Sequence, residues 1–418
     1  MITAVNLLTT TFASVMKSVG GILLAVVILL VMVTIHEFGH YVAGKLLGFK
    51  INEFAVGFGP ALFKKRSKKT GELFALRVIP LGGYCAFDGE DETDEAETEE
   101  NGEQEEPFEE MRSETDDLEN QGGRVETNGE KQDEYPEPKG ARFNDQPPWK
   151  RIIVLIAGAA MNYLLALTLL LVMFGSYGCI HSYIAYVGEG DAPPAQENAL
   201  SAKDIVLSVD GHDIYLATDY ADALSGKKAG EEIVLEILRR DSEGVWQEKT
   251  LKVTSLTDCE FKSMTQLEIA YAALGLNPEE YAFASVTMKE GFFETIGSAF
   301  VYSGKIGGTV LRSLGELVTG RLGLSSMGGP VTTISVTAQA ASGGLLSFLN
   351  IAAFIGVNLA VFNLLPIPAL DGCKVIFCLI EWIRKKPVNR KVETMIHFIG
   401  IIALFAFAIL VDVLQLFW

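Results

Sequence analysis

The sequence predicts a polytopic α-helical membrane protein of about four spans, with a membrane-associated β-hairpin and one extracytoplasmic β-rich domain. Three observations predict it. Four apolar segments are each long enough to cross a bilayer core, which takes about 20 helical residues. Lys and Arg crowd into two of the connecting loops, which assigns those loops to the cytoplasm. A soluble, strand-rich stretch separates the second and third spans. With 418 residues, 49% of them hydrophobic, the chain is too long for one simple domain and too apolar for an ordinary soluble protein.

The first span runs from about Val19 to Ala43. It lacks a basic leader and a small-residue cleavage site, so it reads as a retained helix rather than a signal peptide. It carries His36-Glu37-Phe38-Gly39-His40. Histidines four apart share one helical face and can grip one metal ion, and Glu37 beside them can act as general base for an attacking water. Ionisable groups at membrane depth are costly, which argues for function.

The second span runs from about Ile152 to Phe174, the third from Leu345 to Leu365 and the fourth from Ile396 to Phe417. Asn350, Asn358 and Asn363 interrupt the third, where asparagine commonly bonds between helices. Basic residues follow the first span (Lys45 to Arg77), precede the second (Lys150, Arg151) and follow the third (Arg384 to Lys391). The 44–151 and 366–395 loops are therefore expected in the cytoplasm, with both termini and the 175–344 region on the other side, and the histidine motif toward the cytoplasmic end of its helix.

Leu73 to Asp88 alternates in polarity and carries Gly82-Gly83, which predicts a β-hairpin turning there. Two readings stand for it: a plain structural hairpin, or an edge that holds an extended peptide by main-chain hydrogen bonds. From Ser182 to Ser255 short strands at 184–187, 205–209, 233–239 and 249–253, with a short helix at 220–224, make a compact module of PDZ size. From Phe292 to Val318 a helix interrupted by Gly and Ser, with little charge, reads as lying on the membrane surface. The domains are thus expected at 1–87 (first span and hairpin), 88–148 (acidic loop), 149–176 (second span), 177–256 (β-rich module), 257–344 (linker and surface helix), 345–372 (third span) and 373–418 (loop and fourth span).

The net charge of −19 belongs to one segment. Between Asp88 and Gly140 stand 23 acidic and 4 basic residues, leaving 30 of each elsewhere. That segment, rich in Glu, Asp, Gly and Pro, reads as a disordered cytoplasmic loop. The rest is neutral, and no nucleic-acid partner is expected. The five cysteines form no CxxC pair, so they read as core fillers rather than disulfide or metal ligands.

A catalytic zinc usually has three protein ligands and an open position. Asp371 is the outstanding third candidate. It follows Pro366 and Pro368, which break the third span and leave irregular backbone at membrane depth, tolerated where it lines a cavity. His181 and His212 fall on the wrong side, His397 reads as interfacial, and Asp88 is membrane-distal. Rival readings are a zinc-binding membrane scaffold without turnover and a metal transporter. Glu37 between the ligands argues against the first, and the lack of inverted repeats against the second.

Together these residues resemble the site-2 protease family of intramembrane zinc metalloproteases, in its bacterial branch with a PDZ domain, the regulator-of-sigma-E protease type. The resemblance rests on the HEFGH at 36–40, Val56-Gly57-Phe58-Gly59-Pro60, Ile79 to Tyr84, Phe143-Asn144-Asp145 with Trp149-Lys150-Arg151, Ala157 to Asn162, Gly328-Gly329-Pro330, and Asn363 to Gly372 (NLLPIPALDG). It implies a Zn2+ held by His36, His40 and Asp371, with Glu37 as catalytic base and Asn363 holding the substrate near the metal. It also implies a PDZ domain that screens substrates, a β region that receives the substrate strand, and single-pass membrane proteins as substrates. The expected setting is the bacterial inner or cell membrane, with the PDZ domain outside. Two departures stand out: Cys373-Lys374 replaces the usual Gly-His after the LDG, and Lys203 replaces the usual Gly before Asp204.

Overall fold

The computed structural model describes residues 2–90, 135–195, 197–241, 243–259, 266–320, 323 and 328–417. Most of the acidic loop expected to be disordered lies outside the described residues. Among the described residues, four helices are long and apolar enough to cross a membrane: Val19–Leu47, Pro148–Tyr177, Leu345–Asn363 and Arg390–Gln415. They match the four segments read from the sequence, and the chain is a polytopic membrane protein. They belong to α1 (Ile2–Leu47), α2 (Pro148–Tyr177), α7 (Leu345–Asn363) and α9 (Arg390–Phe417). The chain divides into two compact units, residues 1–32, 159–363 and 406–418, and residues 33–158 and 364–405.

The first unit contains a sheet of β3 (Cys179–Tyr186), β4 (Ile205–Val209), β5 (His212–Asp213), β6 (Glu232–Arg240), β7 (Trp246–Thr254) and β8 (Tyr281–Met288). Its order is β7-β6-β4-β3-β8, with β5 paired to β4. In β6 buried residues alternate with more exposed ones, as a strand with one face on a core requires. That core gathers Ile184, Val206, Val209, Ile233, Leu235 and Ile237 under α3 (Ala217–Leu224) and α4 (Gln266–Leu274). The sheet therefore runs past residue 256, where the sequence placed its end. β8 pairs along the whole of β3, from Cys179 with Met288 to Tyr186 with Tyr281. This contact joins residues about a hundred positions apart, and no local turn announces it.

At the head of β4, Asp204 accepts from Arg239 Nε at 2.7 Å and Nη2 at 2.6 Å, a buried two-point pair. Lys203 beside it has φ +72°, the left-handed conformation that favours glycine.

The helix expected on the membrane surface, α5 (Phe292–Val318), is continuous through its glycines. Ala299, Tyr302 and Ile306 pack in one cluster with Leu170 and Phe174 of α2 and Leu349, Ala353 and Val357 of α7. The Tyr302 hydroxyl donates to Asn350 Oδ1 at 3.0 Å, an interhelical bond of the kind expected for that asparagine. Gly329 and Pro330 begin a further short helix, α6 (Pro330–Ser342), with proline in its first turn where no N–H partner is needed.

The second unit holds β1 (Ile51–Arg66) and β2 (Leu73–Phe87). The turn between them falls after Arg66, so Gly82-Gly83 does not join two strands as the sequence suggested. Instead both strands fold back on themselves. Glu53 to Val56 have two sets of partners, Ala86 to Gly83 on one side and Leu73 to Leu76 on the other, while Ala61 to Arg66 pair with Arg77 to Leu73. Gly57 (φ +85°) and Gly82 (φ +110°) take the left-handed conformations that such folding needs. The hairpin tip is tied to α1 through Glu72, 2% exposed, which accepts from Tyr41 at 3.0 Å and pairs with Lys45. Phe49, Ile51, Phe87, Phe143, Val154 and Leu155 form the core beneath.

Candidate metal centre

The site is built in the second unit by α1, α2 and α8 (Asp371–Arg384). One helical turn sets His36 above His40, with ring centroids 4.7 Å apart. His40 Nδ1–H donates to the Val154 carbonyl at 2.8 Å, which leaves its Nε2 lone pair for a ligand bond. That Nε2 is 3.1 Å from His36 Nε2. Asp371 Oδ2 lies 3.0 Å from His36 Nε2 and 3.3 Å from His40 Nε2. Burial alone would raise the Asp371 pKa, but the two imidazoles beside it hold the carboxyl well below the usual carboxylate range.

Three ligand-type atoms thus converge from residues 335 positions apart in sequence. A tetrahedral zinc with bonds of about 2.0–2.2 Å spaces its ligand atoms about 3.3–3.6 Å apart. Two of the three separations fall a few tenths of an ångström below that and the third, 3.3 Å, lies at its lower edge, a shift within reach of side-chain torsions. The donor set, two imidazoles and one carboxylate, is that of a catalytic zinc with a position left open.

Glycine makes the convergence possible. A Cβ on Gly158 would lie 2.4 Å from His40 Nε2 and 2.8 Å from His36 Cε1. One on Gly39 would lie 2.3 Å from the Ala157 carbonyl oxygen. The two helices therefore touch at bare backbone, and the imidazoles occupy the space side chains would fill. Glu37 is half-buried beside them, its Cγ 3.3 Å from where a Cβ on Gly83 would stand.

Asp371 opens α8 after the turn that follows α7. Its carboxylate at a helix N-terminus faces the positive end of the backbone dipole. Ala369 in that turn has φ +81°, and its N–H donates to His397 Nδ1 at 3.1 Å. His397, which the sequence reads as interfacial, braces the turn that presents Asp371. A histidine in the first turns of a span carries no pattern that reveals this, because its partner is a backbone amide 28 residues away.

The other residues considered as ligands fall elsewhere. His181 bonds Glu290 at 3.1 Å in the first unit, and His212 is exposed on β5. Asp88 accepts from Asn52 at 2.9 Å and pairs with Lys50, which hold its carboxyl below the usual range. All five cysteines are buried and unbonded to one another. Asn363 is the last residue of α7, in the first unit, and its expected role belongs to the proposal below.

Helices long enough to cross a membrane, one of them carrying an HExxH, and a remote aspartate beside its two histidines are the marks of a membrane peptidase with a metal centre. The model of peptidase family M50 matches residues 24–407, and the chain belongs to that family. It is 30% identical to a putative zinc metalloprotease of Clostridium perfringens, over 91% of this chain and 94% of that one. A putative zinc metalloprotease of Fusobacterium nucleatum is also 30% identical, over 94% and 97%. The regulator of sigma-W protease RasP of Bacillus subtilis is 28% identical, over 96% and 99%.

Proposed function

We propose that this chain is an intramembrane zinc metalloprotease that hydrolyses peptide bonds within the transmembrane segments of single-pass membrane proteins. Anti-sigma factors and signal-peptide remnants are the substrate classes in view. The observation that carries the reading is the meeting of His36, His40 and Asp371 beside Glu37 on an apolar helix. His36, His40 and Asp371 would hold the zinc, which supplies Lewis acidity to the scissile carbonyl and the attacking water.

The chain's own residues do the rest. Glu37 takes the proton from the attacking water and delivers it to the leaving amine. Val154 holds the His40 ring in one tautomer. A substrate helix must unwind before its carbonyl can be attacked, and an edge of the β1–β2 sheet receives the extended strand by main-chain pairing. Asn363 donates a hydrogen bond to the peptide near the reacting carbonyl. The six-stranded module serves as the PDZ domain that screens substrates by the bulk left after a first cut. It stands outside a bacterial cell membrane, and the metal centre lies toward the cytoplasmic face. The relatives named zinc metalloproteases support the metal, and membership of a peptidase family weighs against a scaffold without turnover.

Glu37→Gln tests the reading. Cleavage of a model single-pass substrate should fall by about 10²–10⁴-fold while one zinc per chain remains, measured by elemental analysis. Undiminished cleavage with zinc still bound would end the assignment of Glu37 as base.

A further inference from the structure

A cavity of about 300 Å3 lies in the second unit among the start of α2, the first turns of α8 and the first turns of α9. None of His36, Glu37, His40 and Asp371 lines it. Three cations do: Arg151, Lys374 and Arg390. Lys374 pairs with Glu90 at 2.6 Å and Arg390 with Glu393 at 2.9 Å, so both carboxylates of the lining are already engaged. Arg151 differs. Its side chain is 1% exposed and its Nη2 donates to Glu381, but Nε and Nη1 have no hydrogen-bond partner among the described residues. Three of the five guanidinium N–H donors are therefore buried without an acceptor, a costly arrangement that an oxygen-rich anion would relieve.

Two features choose the anion. The lining carries one positive charge in excess, and Glu381 behind Arg151 weakens the field further, which suits a monoanion held by hydrogen bonds rather than a dianion held by charge. The lining is also continuous with an apolar surface. Phe398 and Ile401 line the cavity yet are 61% and 44% exposed, and the exposed stripe continues along α9 through Ile402 and Phe405. α9 contains the fourth candidate span, so this stripe is where acyl chains run.

We propose that the cavity binds the phosphodiester head of an anionic phospholipid. Arg151 donates to its non-bridging oxygens, Lys374 and Arg390 flank it, and the acyl chains lie along Phe398 to Phe405. Guanidinium groups suit phosphate oxygens, and basic pockets between helices near a membrane surface recognise such heads. The site bears on the metal centre through His397, which lines the cavity and holds the Ala369 amide two residues before Asp371. A bound lipid orders the turns of α9 that brace the Asp371 turn.

The experiment uses the full chain purified in detergent and stripped of lipid. Native mass spectrometry follows retention of phosphatidylglycerol, phosphatidylcholine and inorganic phosphate, with the thermal midpoint as a second readout. One phosphatidylglycerol per chain should survive activation that removes phosphatidylcholine, and only phosphatidylglycerol should raise the midpoint. Arg151→Gln should weaken that binding by about tenfold, the scale of one lost charge-assisted contact. Arg390→Gln, at a more accessible position, should weaken it by a smaller factor and carries the test if Arg151→Gln does not fold. Equal retention of the two lipids, or wild-type binding in Arg390→Gln and in any folded Arg151→Gln, would overturn the proposal. A midpoint rise as large with inorganic phosphate as with the lipid would assign the site to the free ion and overturn the lipid.

Discussion

Among the described residues stand two histidine–carboxylate groups, one in each unit, and they differ in what the carboxylate closes. In the second unit Asp371 meets two imidazoles, and three ligand-type atoms point at one space cleared by glycine. In the first unit His181 meets Glu290 at 3.1 Å, but Ser298 donates to the other oxygen of Glu290 at 2.7 Å. Tyr215 in turn approaches Ser298 at 3.5 Å. Hydrogen bonds between neighbours fill that second group, and it ties β3 to the start of α5. A His–carboxylate contact thus says little by itself. Convergence of lone pairs on a shared space, with a base alongside, marks the chemistry.

The sharpest way to break the comparison is Asp371→Ala. It should lower zinc affinity by more than about a hundredfold, beyond the effect of losing an outer partner, and take cleavage to background. Elemental analysis of the purified variant checks it, and full zinc occupancy would remove Asp371 from the ligand set. Gly158→Ala comes next. The new methyl would land on His40 Nε2, so zinc affinity should drop by about tenfold or more, with about 1–3 kcal/mol lost from overpacking. Metal titration and denaturant unfolding read the two effects separately.

The first unit should answer differently. His181→Ala should leave zinc content and the affinity for it unchanged, and cost about 1–3 kcal/mol by leaving Glu290 short of a donor. Loss of zinc in that variant would erase the distinction drawn between the two groups. The smallest effect is expected at Lys203, held at φ +72°. Lys203→Gly should stabilise the sheet module by up to about 1 kcal/mol, read as a higher midpoint with zinc binding unaltered.

Much of the fold was legible because it follows short-range rules. The four spans emerge from length and hydropathy. His36 and His40 are legible as a pair because helical geometry alone places residues four apart on one face. Asp371 could be proposed because two prolines end the helix before it. Elements that depend on distant pairing were less legible. β8 joins β3 through main-chain bonds that its sequence does not advertise, so the module was read as ending too early. Gly82-Gly83 reads locally as a hairpin turn, yet its glycines serve a fold-back within one long strand. His397 looks like any histidine near a span end, and only its bond to the Ala369 amide shows its use.

By itself the amino-acid sequence determined the apolar spans, the helical pair of histidines with their glutamate, and the proline break before Asp371. Each of these is set by neighbours within a turn or two. The tertiary structure alone decided that Asp371 reaches both imidazoles, that Val154 orients His40, and that Gly39 and Gly158 let the helices touch. Those facts depend on where distant segments pack, and packing distances of a few ångströms are not encoded in any local pattern.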